Sequence, residues 1–106
     1  MKMKDCERVN GHFSKWKGAT ARFNKYTTSH NRFVVALKRQ GSDESVGVSF
    51  TFCEYIAGPT HWTNCDLQCS LWTSPGGEEG YEVSDKNAGF IVRGTDVVIL
   101  GEDDDL

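Results

Sequence analysis

The chain is predicted to fold as an all-β domain, a small sandwich or partly open barrel of six or seven mostly antiparallel strands with little helix. Three observations carry that expectation. Residues 45–53, SVGVSFTFC, alternate apolar with small or polar side chains at period two, the mark of a strand with one buried face. Short runs of the same character recur along the chain, separated by Gly-containing turns. No capped amphipathic run of ten or more residues at helical period stands out. Many short strands with such turns bury their apolar faces as a sandwich or a barrel.

Taken in order, residues 1–11 show no clear period and read as a frayed end or a short helical turn. Residues 12–17 read as a weak strand or an extended arm, closed by the break at Gly18. Residues 19–26 form a strand with Ala21 and Phe23 on one face and Arg22, Asn24 and Tyr26 on the other. TTSHN at 27–31 is turn-forming. RFVVALKR at 32–39 is apolar at consecutive positions, as a central strand covered on both faces would be. QGSDE at 40–44 has the length and residues of a hairpin loop.

In the strand at 45–53, Val46, Val48, Phe50 and Phe52 share the buried face. Regular pairing stops at Gly58-Pro59 within the loop 54–64. From 65 to 73 Cys65, Leu67, Cys69 and Leu71 alternate against Asp66, Gln68, Ser70 and Trp72. SPGGEEG at 74–80 is a loop, and residues 81–83 a short strand. GFIVR and DVVIL flank Gly94-Thr95 and read as a closing hairpin. The tail GEDDDL, 101–106, reads as solvated.

The chain has 106 residues, the length of a single domain able to bury one core without staples. No apolar run approaches the ~20 residues that span a bilayer. The basic start lacks the apolar segment of a secretory signal. Both facts predict a cytoplasmic protein, not a membrane one, whose four cysteines are reduced thiols. Net charge is −3 but divided: residues 1–40 hold ten Lys/Arg against two acids, and residues 41–106 hold two against thirteen. Such asymmetry points either to an interaction surface or to basic and acidic strands that pair across a sheet.

Four constellations could carry chemistry. Cys53, His61, Cys65 and Cys69 have the ligand types of a zinc site. On a strand, however, Cys65 and Cys69 lie roughly 13 Å apart, whereas thiolates sharing a zinc lie within about 4 Å. Core packing of the thiols suits that alternation better, and no metal or cofactor is expected. Cys53 or Cys65 activated by His61 would make a nucleophile, but no nucleophile signature surrounds either and no catalytic residue is assigned.

Lys15, Lys17, Arg22 and Lys25 interleave with Phe13, Trp16, Phe23 and Tyr26. Cations with aromatic faces suit a nucleotide or single-stranded nucleic acid, here through Lys15, Trp16, Lys17, Arg22, Lys25 and Tyr26. An edge strand protected by Lys has the same pattern. The loop around Pro59 offers Tyr55, Ile56, His61 and Trp62 as anchors for a protein partner. The acidic tail could steer a basic partner.

The expected function is therefore non-enzymatic binding of a macromolecular partner, a protein first and a nucleotide or nucleic acid as the alternative. An inhibitor of a host factor encoded by a phage or mobile element fits this size and charge division, as does a bacterial accessory subunit.

Overall fold

The computed structural model describes residues 2–100, with side chains from Asp5 onward. The acidic tail lies outside the described residues. The chain runs α1 (Lys2–Lys15), β1 (Thr20–Thr27), a single turn at Ser29–Asn31, β2 (Arg32–Lys38), β3 (Ser45–Thr51), β4 (Tyr55–Ala57), β5 (His61–Trp62), β6 (Gln68–Thr73), β7 (Glu79–Asp85), β8 (Phe90–Gly94) and β9 (Asp96–Leu100). A five-stranded sheet has the order β5-β1-β2-β3-β9, and a four-stranded sheet the order β4-β8-β7-β6. Every pair is antiparallel. The inner faces share one core, in which Val35, Leu37, Val48 and Phe50 of one sheet meet Val83, Phe90 and Val92 of the other. This is a sandwich, not a closed barrel. It has more strands than the six or seven expected, because the segment read as a loop contributes the short β4 and β5.

Three elements depart from expectation for identifiable reasons. First, residues 2–15 form a helix, so residues 12–17 are neither strand nor arm. Cys6, Val9, Phe13 and Trp16 are all buried, and their spacing of three, four and three puts them on one helical face. Lys, Asn and Gly around them hid that stripe. Gly11 lies within the helix with nothing near the place of a Cβ. Gly11→Ala is therefore expected to raise stability by about 0.5–1 kcal/mol, read from urea unfolding, since alanine restricts the unfolded chain and favours helix.

Second, the segments flanking Gly94-Thr95 are not a hairpin. β8 pairs with β7 and β4, while β9 pairs with β3. The chain changes sheets at Gly94, where a Cβ would stand 3.1 Å from the Thr51 carbonyl oxygen, and the Thr95 amide donates to that same oxygen. The hairpin in this region joins β7 to β8 instead. Third, β3 ends at Thr51. Phe52 turns into the left-handed region at φ 54° and leaves the core, 48 % exposed.

The sandwich has two long seams. One is closed by α1, which lies against β6 and reaches β9. Cys6 Sγ rests 3.5 Å from Cys69 Sγ, the Tyr81 hydroxyl donates to Asp5, and the Asn10 amide pairs with both backbone groups of Cys69. Gly18, at φ 91°, ends the helical segment. Arg39 then covers buried Trp16, its guanidinium 4.2 Å from the ring centroid, while donating to the Lys15 carbonyl and pairing with Glu44 at 2.6 Å.

The opposite seam, between β4 and β1, is bridged by the short β5, which pairs with Ala21 and Arg22, and by the Phe23 amide donating to the Thr60 carbonyl. Along that side the core remains partly open.

Candidate binding groove at the open seam

The groove is created by a bulge. β1 runs in register with β2 up to Phe23 opposite Val35, slips by one at Asn24, and resumes with Lys25 opposite Val34 and Tyr26 opposite Phe33. An extra residue reverses the alternation beyond it. Tyr26 therefore shares the inner face with Ala21 and Phe23, not the face of Arg22 as the sequence predicts. Two aromatics thus point inward along a stretch of β1 that the four-stranded sheet does not cover. They line a cavity of about 360 Å³ together with Phe33, Cys53, Glu54, Tyr55 and Ile56.

Phe33 is the buried floor, with its ring centroid 5.2 Å from that of Phe23. Phe23, Tyr26, Tyr55 and Ile56 form the rim and are 40–48 % exposed. Four large apolar side chains left half in water around a core opening form the kind of contiguous patch that marks an interaction site.

One end of the groove is held under backbone strain. His30, Asn31 and Phe52 all have positive φ. Asparagine tolerates that region, whereas a bulky residue such as phenylalanine adopts it only when its surroundings enforce it. Here the Phe52 amide donates to the His30 carbonyl and the Cys53 amide to the Asn31 carbonyl. The His30 ring stands edge-on to Phe52, and the Tyr26 hydroxyl donates to the Asn31 side chain at 3.0 Å. Tyr26 is thereby fixed in orientation although it is exposed.

At the rim Tyr55 lies beside Arg93, whose guanidinium is 5.3 Å from the Tyr55 ring and 5.5 Å from that of Trp72. Arg93 also pairs with Glu82 at 2.8 Å.

The structure redistributes the residues selected from sequence. Tyr55 lines the groove. His61 pairs opposite Arg22 and so projects from the outer face of the five-stranded sheet. Trp62 is inside: its indole stacks on Phe90 at 4.6 Å and donates to the Asp85 carboxylate at 2.8 Å. These three do not converge. Of the basic and aromatic set, Trp16 is buried beneath Arg39, Lys15 and Lys17 are exposed near the end of α1, Tyr26 joins the groove, and Arg22 and Lys25 lie on the outer sheet face. Ile56, offered from sequence beside Tyr55, does line the groove, whereas Phe23 and Glu54 were not selected as binding residues. Their grouping depends on the bulge and on the β1–β4 gap, for which the linear sequence offers only Asn24 and the brevity of the β4 segment as signals.

The thiols serve packing. Cys65 and Cys69 are buried together with Leu67, as the alternation predicts, while Leu71 emerges at the sheet end. Cys65 donates to the Trp16 carbonyl and Cys53 to that of Phe50. Among the described residues no group of three or more His, Cys, Asp or Glu is placed to hold a metal. Burial pushes the Cys53 and Cys65 thiols up to about 11 from an ordinary 9.0, and Cys69 higher still. That suppresses the thiolate a nucleophile requires, and His61 faces away from buried Cys65.

The same shifts set an alkaline limit on stability. The folded state holds these protons more tightly than the unfolded chain, so the contribution is complete below pH 9 and is lost as pH rises through about 11. Urea midpoints are expected to stay level up to that limit and then descend. In Cys65→Ala the descent should be shallower.

No family model, curated protein or solved structure matches the chain. Among the described residues no helix is long and apolar enough to cross a membrane. The molecule is defined by its fold class and its groove: an antiparallel β-sandwich, clasped along one seam by a helix and open along the other.

Proposed function

We propose that this protein is a non-enzymatic binding domain that docks a protein partner at the open seam. The observation that carries this reading is the groove itself, with Phe23, Tyr26, Tyr55 and Ile56 half-exposed around buried Phe33. Tyrosine and phenylalanine bring large contact area at low entropic cost, which is why aromatic residues dominate binding hot spots. At about 360 Å³ the cavity takes one or two large apolar side chains. The occupant is thus a protein segment presenting such an anchor. Glu54 in the wall favours one with a cation beside it. Held by Asn31 and the strained corner, the site is ordered before the partner arrives, which lowers the cost of association.

A domain that covers a partner's surface without chemistry of its own acts as an inhibitor or as an accessory subunit. The test is affinity capture from the native host with wild-type protein and with Tyr26→Ala/Tyr55→Ala, followed by titration of the captured protein. Each substitution is expected to weaken binding by about 2 kcal/mol, and the double variant to capture nothing. A variant that retains the same partner at the same affinity removes the groove from the interface. If sedimentation instead reveals a dimer that only the wild type forms, the occupant is a second copy and the heterologous reading is overturned. Addition of the domain to the partner's own assay separates inhibitor from subunit.

A further inference from the structure

The outer face of the five-stranded sheet, remote from the core, carries a second and chemically different surface. On β1 and β2 four successive cross-strand rows each hold one cation. Lys38 stands opposite Thr20, Arg22 opposite Ala36, Lys25 opposite Val34, and Arg32 opposite Thr27. Successive rows are two residues apart, or roughly 6.8 Å at the rise of an antiparallel strand, so the line extends about 20 Å. His61 of β5 flanks Arg22.

Arg32 donates to the Ser49 hydroxyl at 2.8 Å. Among the described residues no carboxylate lies within ion-pair distance of Arg22, Lys25 or Lys38. Among the described residues, the acids carried by this sheet and its loops include Asp43 and Glu44, in the loop after β2, and Asp96, on the far strand β9. Glu44 is already paired with Arg39.

Among the described residues, Glu79, Glu82 and Asp85 lie on the other sheet. Every strand of the four-stranded sheet comes from the acidic part of the sequence. β1 and β2, which come from the basic part, sit side by side in the five-stranded sheet, and among the described residues their outward cations find no carboxylate partner across the sheet.

Two concavities meet on this face. One of about 620 Å³ is lined by Thr20, Arg22, Ala36, Lys38, Arg39, Gln40, Gly41, Ser42 and Asp43. The other, of about 500 Å³, is lined by Thr20, Arg22, Phe23, Thr60 and His61. They share Thr20 and Arg22, so Arg22 stands between them.

We infer that this face binds single-stranded nucleic acid through its phosphodiester backbone. A line of evenly spaced cations, three of them without a carboxylate partner among the described residues, matches a polymer with one charge per unit. Concavities on either side of Arg22, edged by hydroxyl and amide groups with one carboxylate, Asp43, at the loop end of the larger, give room for the sugars and bases such a strand carries. An extended acidic peptide supplies the charge but has no use for that space. Among the described residues the one exposed phenylalanine bordering the row is Phe23, at the edge of the smaller concavity. Binding rests on charge, with stacking on a ring that tolerates any base, and is indifferent to base sequence. The inference goes beyond the protein-docking groove and does not depend on it.

The experiment is fluorescence anisotropy of a labelled 20-nucleotide oligo-dT at about 50 mM salt and upward, an ionic strength at which backbone contacts are still strong. On the wild-type protein, log affinity should fall against log salt with a slope of about −2 to −3, from three or four phosphate contacts. Arg22→Ala and Lys38→Ala are both exposed changes expected to fold normally. Each should weaken binding several-fold and reduce the slope by about 0.7. Tyr26→Ala/Tyr55→Ala should bind as wild type does. Absence of binding at low salt overturns the inference, as does a slope untouched by both cation variants. Equal affinity for an oligo-aspartate of matched charge overturns it in favour of an acidic protein ligand.

Discussion

Asn10→Ala should lower the stability of the domain by about 2–4 kcal/mol, although alanine is the better helix former. Asn10 lies on α1, and its side-chain amide donates to the Cys69 carbonyl at 2.9 Å while its carbonyl accepts from the Cys69 amide at 2.8 Å. Cys69 is on β6, the outermost strand of the four-stranded sheet. A single asparagine therefore takes the place of a neighbouring strand, satisfying both backbone groups where no further strand pairs.

Truncation leaves an amide and a carbonyl without partners beneath the helix, each costing about 1–3 kcal/mol, against a gain of only a few tenths from helix propensity. Urea unfolding monitored by tryptophan fluorescence measures the difference. Asn10→Asp retains the acceptor but not the donor and should fall between alanine and wild type. If Asn10→Ala is as stable as wild type, water has replaced the amide and the seam is not closed by this contact.

The second large effect is expected at Asp85. This carboxylate is 1 % exposed and sits at the end of β7. One oxygen accepts from the Trp62 indole of β5 and from the Asp66 amide, both at 2.8 Å; the other has no hydrogen-bond partner. It ties the four-stranded sheet to the edge of the five-stranded one across the mouth of the core.

Asp85→Ala removes a buried acceptor shared by two half-buried donors and leaves a void. A loss of about 2–4 kcal/mol follows, since bonds to a charged acceptor are the stronger kind. Asp85→Asn keeps an oxygen for the same donors and removes a charge whose second oxygen gains nothing from burial, so it should lie within about 1 kcal/mol of wild type. The same unfolding experiment distinguishes the two. An Asn variant as damaged as the Ala variant would mean that the charge, not the geometry of acceptance, holds the sheets together.

Neither residue was legible as important in the sequence. Asn10 sits among polar residues with no visible period, and Asp85 is one acid among thirteen in its part of the chain. Each matters because of a partner 59, 23 or 19 positions away, a relation that residue type and local pattern do not encode. The helix was partly legible: Cys6, Val9, Phe13 and Trp16 have the right spacing, but Gly11 and the lack of a cap masked it. Alternation in Val46, Val48 and Phe50 and in Cys65, Leu67 and Cys69 transferred directly to burial, because side chains of an extended strand have no choice but to face opposite ways. It failed at Phe52 and Tyr26, where a left-handed residue and a bulge reset the phase.

The sequence by itself determined the all-β class, the core role of most of its alternating apolar residues and cysteines, and the imbalance of charge between its two parts. These are properties of neighbours in the chain, carried by a period of two and by composition. The tertiary structure alone decided which residues meet. It buried Trp16 and half-buried Trp62, brought Phe23, Tyr26, Tyr55 and Ile56 to one opening, separated His61 from Tyr55, and laid Arg22, Lys25, Arg32 and Lys38 in a line. The reason is that seams, bulges and sheet crossings are settled by how two layers fit over a common core, and that fit depends on every strand at once.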